Sequence, residues 1–570
     1  MKRIIPIGFL FCLIAFLPSC KETQKLGELN AFSYKITKEV TAKNGAVVSA
    51  HPLASEVGVN ILKQGGNAVD AAIATQLALA VVYPVAGNIG GGGFTIIRLK
   101  DGQNISIDYR EKAPAKSSRD MYLDKDGNPQ MNLSQDGHLA SGVPGVIAGI
   151  FESMKYATMD IKKLIQPAID LAENGYAITE REAQNLNSYK KDFVQYNTVT
   201  PAFVKETPWK NGDTLMQKDL AKTLERVRDQ GAKGFYEGET AKLIVEEMER
   251  GKGIISLEDL RNYQAVNREP IVFDYRGNTV ITMPLPSSGG IIVEQMLKMS
   301  AMKGIADMKY GTPESVQLMT EVERRAFADR AKFLGDPDFY KVPVKTLVSQ
   351  KYLEERMSDF VPGKAGNSVD TKEGNIPESE ETTHFNVIDN KGNAVSITTT
   401  INGGYGSRTV VGHAGFLLNN EMDDFSVKPG VPNMFGAVGQ EANAIQPHKR
   451  MLSSMTPTIV LKGDKPWIVL GTPGGTTIPT SVYQTIVDIV DFGMSPQDAV
   501  NFPKFHHQWL PDEISIEKTF DPTVVAALEK MGYKIGKRGA IGRTEVIMIM
   551  PDKSIVAVAD HRGDDSAAGY

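Results

Sequence analysis

Thr382 to Asp389, TTHFNVID, and Ala394 to Thr400, AVSITTT, alternate apolar with polar residues on either side of the turn-forming run Asn390 to Asn393, NKGN. Period-two alternation about such a link predicts a β-hairpin with one face in a core. What precedes it differs in kind. From Gly363 to Glu381, Gly, Asn, Ser, Pro and acidic residues dominate and no apolar period survives, so a solvated, cleavable loop runs straight into a buried strand that opens with two threonines. A second hairpin, Phe94 to Leu99 and Asn104 to Tyr109, turns at Asp101 and Gly102. The glycine run Gly90 to Gly93 before it leads into a strand rather than a helix and carries no lysine, which favours close backbone packing over a phosphate loop. A further strand is expected over Trp467 to Leu470.

Helical periods fill much of the rest. Leu53 to Lys63 reads as a helix stopped at Gly65 and Gly66, and Ala68 to Val82 as a second, Ala-rich and almost wholly apolar. The second is too short to span a membrane, so it belongs in a core. From about Pro144 to Lys351 the chain reads mainly as amphipathic helices, among them Ile161 to Glu173, Leu220 to Arg228, Glu239 to Arg250 and Pro313 to Phe333, which cover the sheet. Pro284 to Gly290, PLPSSGG, reads as a rigid loop leading into the helix Ile291 to Met299, with no chemistry assigned to it. Pro479 to Phe492 is a predicted helix. Lys428 to Gln440 has no period and several breakers, and is expected to be a mobile surface loop.

The first forty residues stand apart. Lys2 and Arg3 precede the apolar run Ile4 to Leu17 and then Pro18, Ser19 and Cys20, the order of an export signal. Leu17 to Cys20 resembles a bacterial lipoprotein cleavage box, with Pro18 an uncommon occupant. Residues 1–19 are therefore expected to be a signal peptide and Cys20 the lipidated first residue of an exported protein, periplasmic or on the cell surface. The alternative is an ordinary secreted protein with an incidental Cys20. Lys21 to Lys43, polar and weakly patterned, reads as a tether.

Composition narrows the function classes. Of two cysteines, Cys12 lies inside the apolar run that the cut would remove. No internal disulfide is then available, and stability must come from core burial. A chain of 570 residues is long enough for several domains, but no linker within the body marks where they would part. Net charge is −5 with the signs interspersed, which argues against nucleic acid as a partner, since phosphate neutralisation needs concentrated Lys and Arg. The eight histidines do not fall at ligand spacings, so no metal site is expected.

The chemistry that can be built on Thr382 depends on a cut. A threonine hydroxyl is a poor nucleophile at neutral pH and needs a base within hydrogen-bond reach. Scission between Glu381 and Thr382 would free an α-amino group, whose reference pKa lies near neutrality, to serve as that base. Taken alone, however, Thr382 and Thr383 read more simply as the start of an edge strand, where threonine is common. Arg110 alone reads as a surface ion pair, the NNEMDD run as a solvated acidic loop, and Gly474 and Gly475 as a plain strand-to-helix turn.

Several runs in order change this balance. TTHFNVIDNKGNAVSITTTIN, LLNNEMDDFSVKPGVPN, KRMLSSMTPTIV and GTPGGTT, with DYREKAPAKSSRDMYLD, LASGVPGVIAG and PLPSSGG upstream and FPKFHHQWLPDE and the terminal AGY downstream, closely resemble the γ-glutamyltranspeptidase family of N-terminal-nucleophile hydrolases. The resemblance covers nearly everything after the first forty residues. It implies an α+β fold, a four-layer αββα sandwich, autoprocessed into a large subunit (44–381) and a small catalytic subunit (382–570) that stay together as a heterodimer. It implies Thr382 as nucleophile, Thr400 as the hydroxyl that orients it, and Gly474 and Gly475 as the oxyanion hole. Arg110 is implied to clamp the α-carboxylate of the glutamyl group, with Ser453 and Ser454 contacting the same carboxylate and Asn402, Glu421 and Asp424 taking the α-ammonium. Phe435 falls where the family's lid commonly has Tyr, so a lid hydroxyl is lost here. Glu421 stands where some bacterial members have Gln. The implied activity is γ-glutamyl transfer from glutathione and other γ-glutamyl compounds to water or to amino-acid or dipeptide acceptors, without a cofactor. Two other readings remain: a cephalosporin or glutaryl acylase of the same fold, and a non-enzymatic surface lipoprotein that binds amino acids or peptides.

Overall fold

The structure, a computed structural model, describes residues 29–368 and 382–570. The expected signal peptide, Cys20 and Glu381 lie outside the described residues.

Among the described residues fourteen strands build two seven-stranded sheets. In chain order they are β1 (Glu39–Ala42), β2 (Gly45–Ser49), β3 (Gly92–Arg98), β4 (Asn104–Asp108), β5 (Val266–Arg268), β6 (Ile271–Tyr275), β7 (Asn278–Thr282), β8 (Thr383–Asp389), β9 (Ala394–Thr400), β10 (Thr458–Lys462), β11 (Lys465–Gly471), β12 (Glu545–Ile549), β13 (Ile555–Val558) and β14 (Ser566–Gly569). The first sheet runs β14-β2-β8-β9-β3-β4-β5 and the second β1-β13-β12-β11-β10-β7-β6. Both are antiparallel throughout.

Neighbouring residues in these strands point into different apolar layers, as strand geometry requires. Val48, Ile96 and Ile388 meet Ile459, Val469 and Ile547 between the sheets. Val47, Ile97 and Val387 face outward, onto helices α1 (Pro52–Lys63) and α2 (Ala68–Val82). Val460, Ile468 and Leu470 pack on the other side beneath α3 (Gly289–Met302) and α5 (Thr477–Val490), with α4 (Pro313–Phe333) against α3. The layers are helix, sheet, sheet, helix, as expected. Helix α2 has the predicted bounds, is buried on every side, and starts at a capping box between Asn67 and Asp70.

The hairpin β8–β9 departs from its predicted environment. Both of its faces are covered, not one, and every residue of both strands is buried. Polar residues of the hairpin find partners both within it and across the sandwich, as most buried polar groups do: His384 Nδ1 meets Thr398 Oγ1 on the paired strand at 2.9 Å, while Asn386 Nδ2 donates to the Glu545 carbonyl (3.0 Å) and Ser396 Oγ to that of Leu470 (3.1 Å) in the other sheet. Burial holds the His384 imidazole neutral, with its pKa pushed down to about 3.

Two boundaries also move. The tether expected to reach Lys43 ends earlier, because Tyr34 donates its hydroxyl to the Ala177 carbonyl (2.5 Å), Lys38 Nζ donates to the carbonyls of Asp560, Gly563 and Asp565, and β1 pairs with β13. The glycine run does allow close backbone packing: a Cβ on Gly91 would lie 2.1 Å from the Thr400 carbonyl oxygen, and one on Gly93 2.6 Å from that of Thr398. Both sheets draw strands from either side of residue 382, β2 to β5 with β8, β9 and β14 in one, and β1, β6 and β7 with β10 to β13 in the other.

Candidate active site

Thr382 directly precedes β8. Thr383 pairs with Thr399, so the same register carries Thr382 to Thr400 at the end of β9. Strand β8 lies between β2 and β9, which replaces the edge-strand reading with a position inside the sheet. A cavity opens at this end of the hairpin. Thr382, Thr400, Asn402, Arg110, Glu421, Asp424, Phe435, Ser453, Ser454 and Gly475 line it. Of the expected residues in the described chain, Gly474 alone is missing from this wall; it lines a neighbouring cavity that shares Thr382.

Arg110 follows β4, its N–H donating to Asp108 Oδ1 (2.9 Å). Its guanidinium is buried and extended between two carboxylates: one terminal nitrogen donates to Glu421 Oε1, the other to Asp424 Oδ2 (2.5 Å), while the carbonyls of Met451 and Leu452 accept from it at 3.3 Å. Burial opposes its charge, but Glu421, Asp424 and Glu111 outweigh burial and hold the guanidinium protonated. Burial raises all three carboxyls, against the pull of Arg110; Glu111, wholly buried 3.7 Å from the guanidinium, reaches about 7. Thr400 Oγ1 accepts from Asn402 N (2.7 Å), and the Asn402 amide donates to the Asn420 carbonyl (3.1 Å).

Two contributors escaped the sequence reading. Arg330, on α4, lines the cavity and donates to Ser288 Oγ and Ser454 Oγ, both at 3.0 Å. Its pKa is lowered to about 10 by burial, despite the attraction of Asp424. The PLPSSGG loop, given no chemistry, braces the serine pair. Ser453 N donates to the Pro286 carbonyl (2.9 Å), and Ser288 N and Oγ donate to the Ser453 carbonyl (2.8 and 2.7 Å). Arginine in a helix that covers a sheet gives no local signal of a site. Only its position beside Ser454 does.

Gly474 and Gly475 join β11 to α5 at φ 135° and 53°, the left-handed range that glycine tolerates. Among the described residues neither donates its N–H to another group. A Cβ on Gly475 would come within 2.8 Å of the Phe435 ring, so glycine there also admits the loop that carries the ring. That loop, 428–440, folds inward rather than lying out on the surface. Phe435 is buried, and Asn433 Nδ2 donates to Asp424 Oδ1 (2.8 Å).

Asp423 anchors the same loop by accepting from Met434 N (2.7 Å) and Ser134 Oγ (2.6 Å). Burial raises its carboxyl from 3.8 to about 7. Between those values the folded chain keeps a proton that the unfolded chain gives up. Stability from this group is therefore complete below about pH 4 and is lost as pH rises toward 7. Asp423→Asn is expected to flatten the fall in thermal midpoint across that interval, read by calorimetry at several pH values; an unaltered slope would remove Asp423 as its source.

Chemically, the cavity sets cations (Arg110, Arg330) and serine hydroxyls beside anions (Glu421, Asp424) and an amide (Asn402), with a threonine hydroxyl at its rim. This is a complement to a zwitterionic amino-acid head group with an electrophile a few bonds away. No cluster of three or more His, Cys, Asp or Glu with metal-binding geometry occurs among the described residues.

Residues 54–570 match the family model described as Gamma-glutamyltranspeptidase. The chain is 47% identical over 537 residues to the glutathione hydrolase proenzyme of Escherichia coli (strain K12), with 93% of each chain covered. Of solved structures, it is similar to the cephalosporin acylase from Bacillus halodurans (TM-score 0.82, 28% identity, 94% of this chain and 98% of that one) and to the Helicobacter pylori γ-glutamyltranspeptidase (TM-score 0.56, 44% identity, 60% of this chain and 97% of that one). The family model begins within the first helix and runs to residue 570, through every residue that lines the cavity. The chain belongs to the γ-glutamyltranspeptidase family.

Proposed function

We propose that the chain is a self-cleaving γ-glutamyltransferase and glutathione hydrolase in which Thr382 is the nucleophile. The observation that carries this reading is the single cavity in which Thr382 and the Arg110–Glu421–Asp424 cluster are neighbours. A γ-glutamyl group has its zwitterionic head separated from its reactive carbonyl by two methylenes, and the cavity supplies partners for both ends.

In the precursor the Thr382 hydroxyl attacks the Glu381 carbonyl. The peptide C–N bond breaks, an ester forms to Oγ, and water hydrolyses it to a carboxylate on Glu381 and a free amine on Thr382. In the mature enzyme that amine takes the Oγ proton as the oxygen adds to the γ-carbonyl of the donor. The N–H groups of Gly474 and Gly475 receive the developing oxyanion. The proton passes to the departing nitrogen, cysteinylglycine leaves when the donor is glutathione, and water or an acceptor amine resolves the γ-glutamyl ester. In the donor complex the substrate carboxylate takes up Arg110, Ser453 and Ser454, and its ammonium is held by Asn402, Glu421 and Asp424. Thr400 orients the nucleophile, and Phe435 covers the site. The chain is exported and held at the membrane through lipid on Cys20, facing the periplasm or the outside.

The deciding experiment is N-terminal sequencing of the smaller band of the purified protein on a denaturing gel, alongside hydrolysis of γ-glutamyl and glutaryl anilides. The sequence should begin TTHFNV, and the γ-glutamyl anilide should be strongly preferred, since the glutaryl compound lacks the ammonium that Asp424 and Glu421 pair. Preference for the glutaryl compound would favour the acylase reading that the Bacillus halodurans likeness raises. A single uncut, inactive chain would favour a binding protein.

A further inference from the structure

The loop 428–440 puts Asn433, Phe435 and Ala437 on the wall of the Arg110 cavity, and Met434 is not on it. Met434 instead places its thioether against two asparagines. Asn402 Nδ2 and Asn420 Nδ2 each donate to Met434 Sδ at 3.6 Å. The rest of this part of the loop is tied to the acidic run beside them: Met434 N donates to Asp423 Oδ2 (2.7 Å) and Asn433 Nδ2 to Asp424 Oδ1 (2.8 Å). Sulfur is a weak acceptor, but here it is shared by two buried carboxamides.

An asparagine amide has two N–H donors and one oxygen. Asn402 is buried. It gives one donor to the Asn420 carbonyl (3.1 Å) and the other to Met434 Sδ, and among the described residues no group donates to its Oδ1, which is left for the cavity that Asn402 lines. Asn420, also buried, donates to the Gln135 carbonyl (2.8 Å) and to the same sulfur, while its Oδ1 accepts from Gly403 N (2.8 Å). Without the thioether each amide would keep a buried N–H with no partner, which is costly. Phe435, the next residue of the loop, has no side-chain polar atom to replace it.

We propose that Met434 is a positioning residue of the donor site: its thioether latches the loop to Asn402 and Asn420 and holds the Asn402 carboxamide with its oxygen toward the substrate ammonium. The proposal rests on the γ-glutamyl-transfer reading above, in which Asn402 is a ligand of that ammonium. It makes covering the site and completing the ammonium pocket one event, because the sulfur that fixes Asn402 and the ring that shields the cavity are adjacent residues of one loop. Donors that carry the ammonium gain from the latch, and those that lack it do not.

The test reads the ratio of kcat/KM for a γ-glutamyl anilide to that for a glutaryl anilide, the latter followed with excess self-cleaved enzyme. Met434→Leu keeps the bulk and removes the acceptor, and should lower that ratio roughly 3- to 10-fold, the scale of one neutral hydrogen bond, through the KM of the γ-glutamyl compound. Met434→Gln, whose side-chain oxygen can accept both N–H groups, should keep most of the ratio. A loosened fold would slow both anilides together and leave the ratio in place. An unchanged ratio in Met434→Leu, or a Met434→Gln ratio as low as that of Met434→Leu, would overturn the proposal. Should Met434→Leu fail to self-cleave, hydrogen peroxide applied to the already cut wild-type enzyme decides, since Met434 is partly exposed. One oxygen atom passes from peroxide to sulfur as water leaves, and the polar sulfoxide must fit where a Cβ on Gly403 would already lie 3.0 Å from Met434 Cε. The ratio should then fall in step with Met434 oxidation measured by peptide mass spectrometry and recover with methionine sulfoxide reductase; complete oxidation at a constant ratio would overturn the proposal. Failure of the untreated wild-type enzyme to hydrolyse the γ-glutamyl anilide at all would instead overturn the functional reading beneath.

Discussion

Thr382→Ala should leave the bond after Glu381 intact and abolish turnover of γ-glutamyl donors. The substitution removes a hydroxyl and a methyl from a buried position ahead of β8, while the pairing of β8 with β2 and β9 is expected to persist. The fold is thus expected to survive. What is lost is both the group that opens the peptide bond and the group that would later carry the γ-glutamyl ester, so the rate deficit should reach the three to six orders of magnitude seen when a covalent nucleophile is deleted, roughly 10³ to 10⁶. A denaturing gel, circular dichroism and an anilide assay measure the three consequences together. Thr382→Ser, which keeps the oxygen, should still cut. Donor turnover by the alanine variant, or by wild-type protein that remains one chain, would remove the mechanism.

Arg110→Lys should separate the two reactions. Self-cleavage acts on a peptide bond of the chain itself and makes no use of an α-carboxylate, so the lysine variant should still yield two pieces. Donor turnover should fall. Arg110 spans Glu421 and Asp424 with different nitrogens and still reaches the carbonyls of Met451 and Leu452. A lysine ammonium is a point charge and cannot hold that spread. Loss of one charge-assisted contact in a buried site is worth about 1.5–3 kcal/mol, which places the expected drop in donor kcat/KM at roughly 10- to 150-fold, carried mainly by KM. Leaving one buried carboxylate less well compensated should also lower thermal stability. Normal donor affinity in a correctly cut Arg110→Lys enzyme would show that the guanidinium does not hold the substrate.

How much of this was legible beforehand varies with the physics of each element. Helix α2 and helix α4 emerge with their predicted bounds because an apolar run behind a capping residue, or a proline at the first turn behind Thr312, marks a start without tertiary context. The hairpin β8–β9 was found but its environment was not. Alternation normally distinguishes a wet face from a dry one, and here the polar positions Asn386 and Ser396 bond across the gap between two sheets while His384 bonds to Thr398 on the paired strand. Helix α4 misleads in the same way. Glu321, Glu323, Arg324, Arg325, Asp329 and Arg330 are all buried, against the ordinary rule that such residues face solvent, since they bond to one another and to neighbours such as Gln484 and Ser454. Arg330 was therefore invisible as a site residue. The remainder of the cavity was named through resemblance of several runs, and only the fold explains why residues as far apart as 110, 382 and 475 form one wall.

Because each sheet is woven from strands on both sides of residue 382, neither half has a complete interior of its own to condense around before the other has been synthesised. Strand β2 lies between β8 and the final strand β14, and the last carbonyl of the chain, on Tyr570, accepts from the N–H groups of Lys43 and Asn44. Scission is then expected only once the strands up to β14 have been made and have paired with those that precede residue 382. The cut becomes a maturation checkpoint: lesions at remote places such as the last few residues should first reveal themselves as uncut precursor, well before any defect in substrate handling is measurable.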